Sequence, residues 1–226
     1  MTGEVTAHLL SSGKKAEFIA KSYVHLLGCI VAFILIELWF FRSGFAEPVA
    51  KALLSVSWLV VLGAYVLVAW FASLTAHAIQ SRPGQYAALA FYVGAEAIIF
   101  VPLLYTAESV APGTIANAAV VTVLGFCVLS AIVFISRHNF SFLRSFLCWG
   151  GLVALALIVA SVLFKIPLGQ WFSIAMVGYA GSAILYDTSR ILHEYEPNQY
   201  VAAGLELFSS IALLFWYVIQ LLWEHD

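Results

Sequence analysis

The residues able to do chemistry are few, and several sit where a charge is least welcome. Asp187 and Arg190 lie three apart inside Ile184-Leu185-Tyr186-Asp187-Thr188-Ser189-Arg190-Ile191-Leu192, and Glu206 interrupts the apolar run that begins at Tyr200. Glu96 stands in Gly94-Ala95-Glu96-Ala97, Glu37 precedes Trp39 by two residues, and His25 and His77 fall towards the ends of apolar stretches. A charged side chain at the centre of a helix in a bilayer costs about 2.5–3.5 kcal/mol on insertion scales, so each of these groups needs a partner, water or a ligand.

A spacing of three puts Asp187 and Arg190 side by side on one helical face. This reads either as a local ion pair that eases the end of a helix into the headgroups, or as a carboxylate facing a polar cavity beside a movable basic partner. Asp187 and Glu206 flank a polar hairpin at Glu194 to Gln199 at similar distances, so a rise of about 1.5 Å per residue sets both carboxylates at similar depth. Facing each other, they could share a proton or hold a hard cation such as calcium through oxygen; alternatively, Glu206 faces a different neighbour. Glu96, among small residues that permit close helix contact, reads as a protonated side chain bonded to another helix or as a cation ligand lining a cavity. Glu37 is expected to be partly hydrated near the outer interface. His77 reads as a solvated interfacial group or as a pH-sensitive partner of Asp187.

Nothing points to catalysis. The chain has no HExxH, GxSxG, P-loop or GxGxxG, and only Asp187 offers an aspartate inside an apolar segment, where an intramembrane aspartyl protease needs two. Cys29, Cys127 and Cys148 form no CxxC or Cys/His cluster and are expected to be buried thiols acting as small hydrophobes. No cofactor is expected. A net charge of −2 gives no basic surface for nucleic acid.

The elements that must position these residues are membrane helices. Of 226 residues 63% are hydrophobic and 10% charged, where a soluble domain carries about 25% charged residues, and the mean hydropathy is +1.00. A soluble protein of this size would still have to cover its surface with polar groups, so the apolar side chains face lipid. Seven stretches approach the roughly 20 residues a spanning helix needs: 18–41, 52–74, 86–105, 115–135, 146–164, 171–190 and 200–222. Ser81-Arg82-Pro83-Gly84, Ala111-Pro112-Gly113 and Lys165-Ile166-Pro167-Leu168-Gly169 supply the breaks. Runs such as Val120 to Ile135 lack the alternation of a β-barrel strand. The reading is an all-α, seven-helix bundle forming one transmembrane domain over 1–226. The sixth span is its weak point, because its polar end would otherwise make a re-entrant segment. Lys14, Lys15, Lys21, Arg82, Arg137, Arg144 and Arg190 share one side, against Arg42, Lys51 and Lys165 on the other, which puts the N-terminus in the cytoplasm.

The tyrosine-aspartate segment 184–192, followed by a short polar loop and an apolar final helix, resembles the Bax inhibitor family, also called the transmembrane Bax inhibitor motif family. The loop Arg137-His138-Asn139-Phe140-Ser141-Phe142-Leu143-Arg144-Ser145-Phe146-Leu147 and the proline region Phe100-Val101-Pro102-Leu103-Leu104 are similar to that family's in the same order. The resemblance implies a seven-helix bundle with the last span at its centre and a pH-sensitive calcium leak. It also implies a sensor made of two aspartates. Asp187 matches the first; the second falls on Ser210 in Phe208-Ser209-Ser210-Ile211, with Glu206 one turn earlier on the same face and partly able to replace it. The basic partner in the second span has His77 as its nearest counterpart. Two functions follow from the resemblance: a calcium leak channel gated by protonation around Asp187, or a non-conducting regulator that binds a membrane protease or a stress or cell-death complex. Compact loops and a short N-terminus favour a bacterial inner membrane.

Overall fold

A computed structural model describes the backbone of residues 2–78, 81–196 and 198–223, with side chains over 13–71, 81–196 and 198–223. Among the described residues the chain is helical with no strand. It runs α1 (Thr2–Arg42), α2 (Ala46–Ser55), α3 (Trp58–Ala78), α4 (Arg82–Val110), α5 (Thr114–Ser136), α6 (Leu143–Phe164), α7 (Gly169–His193) and α8 (Tyr200–Trp223). Helices suit this composition because each satisfies its own backbone where no water is present to do so. The breaks fall at the turn residues: Pro83 opens α4, and Gly113, at φ 92, caps the start of α5.

Among the described residues, five helices are long and apolar enough to cross a membrane: the Gly13–Arg42 part of α1, α4, α5, α6 and α8. The bent pair Ala46–Ser55 and Trp58–Phe71 brings the number to six if it acts as one span. The expected seven spans are therefore not all found, for two reasons. The stretch expected as one helix over 52–74 is broken, and its two halves meet at 108°. Val56 is extended there (ψ 151), the Ser55 hydroxyl donates back to the Ala52 carbonyl at 2.7 Å, and the Ser57 backbone carbonyl accepts from the Val60 amide at 2.9 Å as α3 begins. Serine hydroxyls that bond the local backbone compete with helix continuation. The second reason is α7, which has the length, at 25 residues, but carries Gln170, Ser173, Ser182, Asp187, Thr188, Ser189 and Arg190 and falls outside the apolar set.

The helix at the centre is α8. It buries 15 of its 24 residues and packs against α7, α1, α5, α4 and α3, whereas α6 buries only Ala154. Small residues let α1 come close. A Cβ on Gly204 would meet His25 Cβ at 2.9 Å and the Ser22 carbonyl oxygen at 3.3 Å, so this crossing has room for glycine only. On the other side, the Tyr179 ring of α7 lies over Gly150 and Gly151 of α6, and its hydroxyl donates to the Leu147 carbonyl at 2.8 Å.

The outward faces carry the apolar surface that the composition requires, including Trp39, Trp70, Trp149 and Trp171. Cys127 and Cys148 belong to this surface. Only Cys29 is buried, because α5 and α6 turn most of their circumference outward, away from the helices they pack on.

Candidate functional site

The α7–α8 hairpin gathers the ionisable residues. Each residue of Asp187-Thr188-Ser189-Arg190 serves a different neighbour because successive positions on a helix point about 100° apart. Asp187 is buried and its Oδ2 accepts a hydrogen bond of 2.5 Å from the Ser210 hydroxyl on α8. Thr188 is fully buried in the packing. Ser189 Oγ accepts from the Phe140 amide at 2.9 Å, which fastens the α5–α6 loop onto α7. Arg190 turns to the other carboxylate and donates through Nη1 to Glu206 Oε2.

The same Glu206 oxygen accepts from the Tyr195 hydroxyl, in the loop between the two helices. The Arg190 guanidinium lies 4.7 Å from the Tyr195 ring centroid and 5.5 Å from that of Tyr186, within cation–π range. Arg190 Nε reaches Glu194 Oε2 at 3.4 Å, one helical turn on. Burial, and next the Glu206 carboxylate, push the Tyr195 phenol up from its ordinary value, so it serves as a donor. Tyr195 could not be found from the sequence, since nothing in Glu194-Tyr195-Glu196 marks the loop as folding back on the hairpin.

Asp187, Arg190, Glu206 and Ser210 thus line one cavity of about 280 Å³. The two carboxylates share this cavity, each bonded to a different neighbour, and the three-residue spacing does not make an Asp187–Arg190 ion pair. Among the described residues the ion pairs of Arg190 run to Glu206 and Glu194. The reason is reach: the long guanidinium stem crosses to α8, while the short aspartate meets the nearer Ser210. The cavity also touches Tyr92 and Ser209. Tyr92 donates to Ser209 Oγ at 2.9 Å and its hydroxyl lies 3.1 Å from that of Tyr65.

Glu96, one turn after Tyr92 on α4, is buried, and the Tyr65 and Tyr92 hydroxyls face its carboxyl. It lines a second cavity that adjoins the first at Ala69 and Ser209. Tyr65, Tyr92 and Ser209 are polar positions the sequence reading missed; the only signal was a hydroxyl in an otherwise apolar run. Glu37 is buried, not hydrated, and neither carboxyl oxygen has a hydrogen-bond partner. The unforeseen helix α2 folds back against α4 and the end of α1, shielding an end that a continuous second span would have left open to water. His25 Nε2 meets the Tyr86 hydroxyl at 2.9 Å. The side chain of His77 lies outside the described residues, so its pairing with Asp187 has no geometry here.

A family model described as "Inhibitor of apoptosis-promoting Bax1" matches residues 15–226. The chain belongs to the Bax inhibitor family. Within this family it is similar to "Modulator of FtsH protease YccA" of Escherichia coli strain K12, at 33% identity over 151 residues, or 66% of this chain and 68% of the relative. An uncharacterised protein of Pseudomonas aeruginosa is 37% identical over 108 residues, and Bax inhibitor 1 of Schizosaccharomyces pombe 31% over 112. Those two matches span about half the length of the relatives, 48% and 41%. The segment Tyr186-Asp187-Thr188-Ser189-Arg190 is the part of α7 that holds Asp187 against Ser210 and Arg190 against Glu206.

Proposed function

We propose that this Bax inhibitor family member is a non-conducting modulator of a membrane-bound protease of the FtsH type, acting by contact and without catalysis of its own. The observation that carries the reading is the state of the two hairpin carboxylates. Asp187 is engaged by Ser210, and Glu206 by Arg190 and Tyr195, so each already has a partner within the chain. Calcium takes about six to eight oxygens, several of them carboxylate, and here each of the two carboxylates already accepts a hydrogen bond from a side chain of this protein. The likeness to YccA over two-thirds of both chains supplies the partner class. A second relative, of another Escherichia coli strain, is named an inner membrane protein, in keeping with a bacterial inner-membrane location. The excess of Lys and Arg on one side supports a cytoplasmic N-terminus.

The test is a pull-down from cells expressing the tagged chain, probed for the FtsH-type protease, together with the half-life of a membrane substrate of that protease. Co-purification and a changed half-life are expected. Absence of both rejects the reading.

A second reading, a pH-sensitive cation leak with calcium as the permeant ion, is favoured by one observation: Asp187, Arg190, Glu206 and Ser210 share a cavity. In that scheme protonation weakens the links across the hairpin and shifts the bundle between closed and open arrangements, with calcium passing Asp187 and Glu206. Flux into liposomes holding a calcium dye separates the two. The modulator gives none, and the leak gives a pH-dependent flux that Asp187→Asn and Glu206→Gln alter.

A further inference from the structure

The Glu96 cavity measures about 320 Å³ and is walled by Trp58 and Tyr65 of α3 and by Ser209, Trp216 and Tyr217 of α8. Glu96 is 3% exposed, and its Oε2 has no hydrogen-bond partner. None of the described residues lining the cavity is basic. The Trp58 and Trp216 rings stack at 5.9 Å, and Phe100 meets Trp216 edge-on at 5.0 Å. A buried carboxyl oxygen without a donor is costly, and so is a carboxylate without a countercharge. This site therefore sets a buried acid within a wall of aromatic rings.

We propose that the cavity binds a small organic cation, an amine or quaternary ammonium, held by the Glu96 carboxylate and by the aromatic rings. The class of ligand follows from the donors. A metal ion needs several lone-pair ligands, and among the described residues no group of three His, Cys, Asp or Glu could hold one. Aromatic rings offer no lone pairs, but their faces attract cations, most of all where water is excluded. A neutral apolar ligand fills the space and leaves Oε2 without a partner; an organic cation satisfies both the charge and the rings. The volume suits a small ligand, at the lower end of the roughly 300–1,000 Å³ of small-molecule sites. The inference does not depend on the protease reading, since it concerns a different cavity and a different chemistry.

The experiment uses the whole chain in lipid nanodiscs, with empty nanodiscs as the baseline for partitioning. Benzyltrimethylammonium is the probe, and neopentylbenzene is its neutral isostere, with carbon in place of nitrogen. Equilibrium dialysis is expected to show saturable binding of the cation, one per chain, and for the isostere no excess over empty discs. Removing the charge with Glu96→Gln, which keeps a hydrogen-bonding carbonyl, is expected to weaken binding at least about tenfold, as loss of a buried charge partner does. Trp216→Leu is expected to weaken it less. Intrinsic tryptophan fluorescence of the unaltered protein gives a readout that needs no variant: the cation, but not the isostere, should change it saturably. Absence of saturable binding above empty discs, equal binding by Glu96→Gln, or an identical fluorescence response to both probes would overturn the proposal.

Discussion

The Asp187 hairpin and the Glu96 cavity adjoin at Ser209, yet they treat a buried acid in opposite ways. In the hairpin each acid has a hydrogen-bonding side chain within the protein. Glu206 takes a guanidinium and a phenol, and Asp187 takes a hydroxyl. At Glu96 two tyrosine hydroxyls face the carboxyl, one oxygen has no donor among the described residues, and none of the described residues lining the space is basic. An acid that brings its own counterion can hold two helices together. An acid that lacks one is poised to take something from outside. The difference separates a structural clasp from a receptor within one helix bundle.

The largest expected effect comes from breaking the clasp. Arg190→Met removes the guanidinium that donates to Glu206; the two side chains are 23% and 18% exposed. Removing one partner of a buried pair costs about 3–5 kcal/mol, and this partly screened pair should sit near the lower end. Thermal unfolding in nanodiscs should show a clear fall in Tm. The double variant Arg190→Met/Glu206→Gln should recover much of it, because the carboxylate deprived of its guanidinium is then gone. Equal losses in the single and double variants would show that the pair does not act as a clasp.

Ser210→Ala tests the other half of the hairpin. It takes away the hydroxyl bonded to Asp187 Oδ2 without changing the packing greatly. A buried acceptor deprived of its donor costs about 1–3 kcal/mol. The fall in Tm should therefore be smaller than that of Arg190→Met. Ser210→Asp should be worse at high pH than at low pH, since two facing carboxylates repel only when both are ionised. A pH-independent Tm for that variant would mean the position is wetter than the structure shows.

Much of this arrangement was legible in the sequence because membrane helices are simple to read. Pro83, Gly113 and Pro167 marked breaks that the structure keeps, and the spacing of Asp187 and Glu206 about the Glu194–Gln199 loop pointed to two carboxylates that line one cavity. What could not be read was rotation and return of the chain. Val56-Ser57 carries neither Pro nor Gly, so the break between α2 and α3 left no mark. Whether Arg190 would turn to Asp187 on its own helix or to Glu206 on the next is decided by the packing of α7 on α8, which periodicity does not specify. Tyr195 and the Tyr65–Tyr92–Ser209 chain are hydroxyls scattered over three helices and a loop, and only tertiary contact brings them together.

Glu37 sharpens the comparison from a third position. It is buried like Glu96, but neither of its oxygens has a partner. Nothing in the structure relies on its carboxyl for a hydrogen bond, so an apolar side chain of similar length should serve the fold better. Glu37→Met is expected to stabilise the protein by about 1 kcal/mol, the smaller side of the cost of an unsatisfied buried polar group. The Tm in nanodiscs should rise slightly. The same substitution at Glu96 should lower it, because Tyr65 and Tyr92 would lose the carboxyl they face. If Glu37→Met also destabilises, the Glu37 carboxyl has a partner in the membrane that the chain itself does not provide, and Glu96 would then not be alone in looking outward for its counterpart.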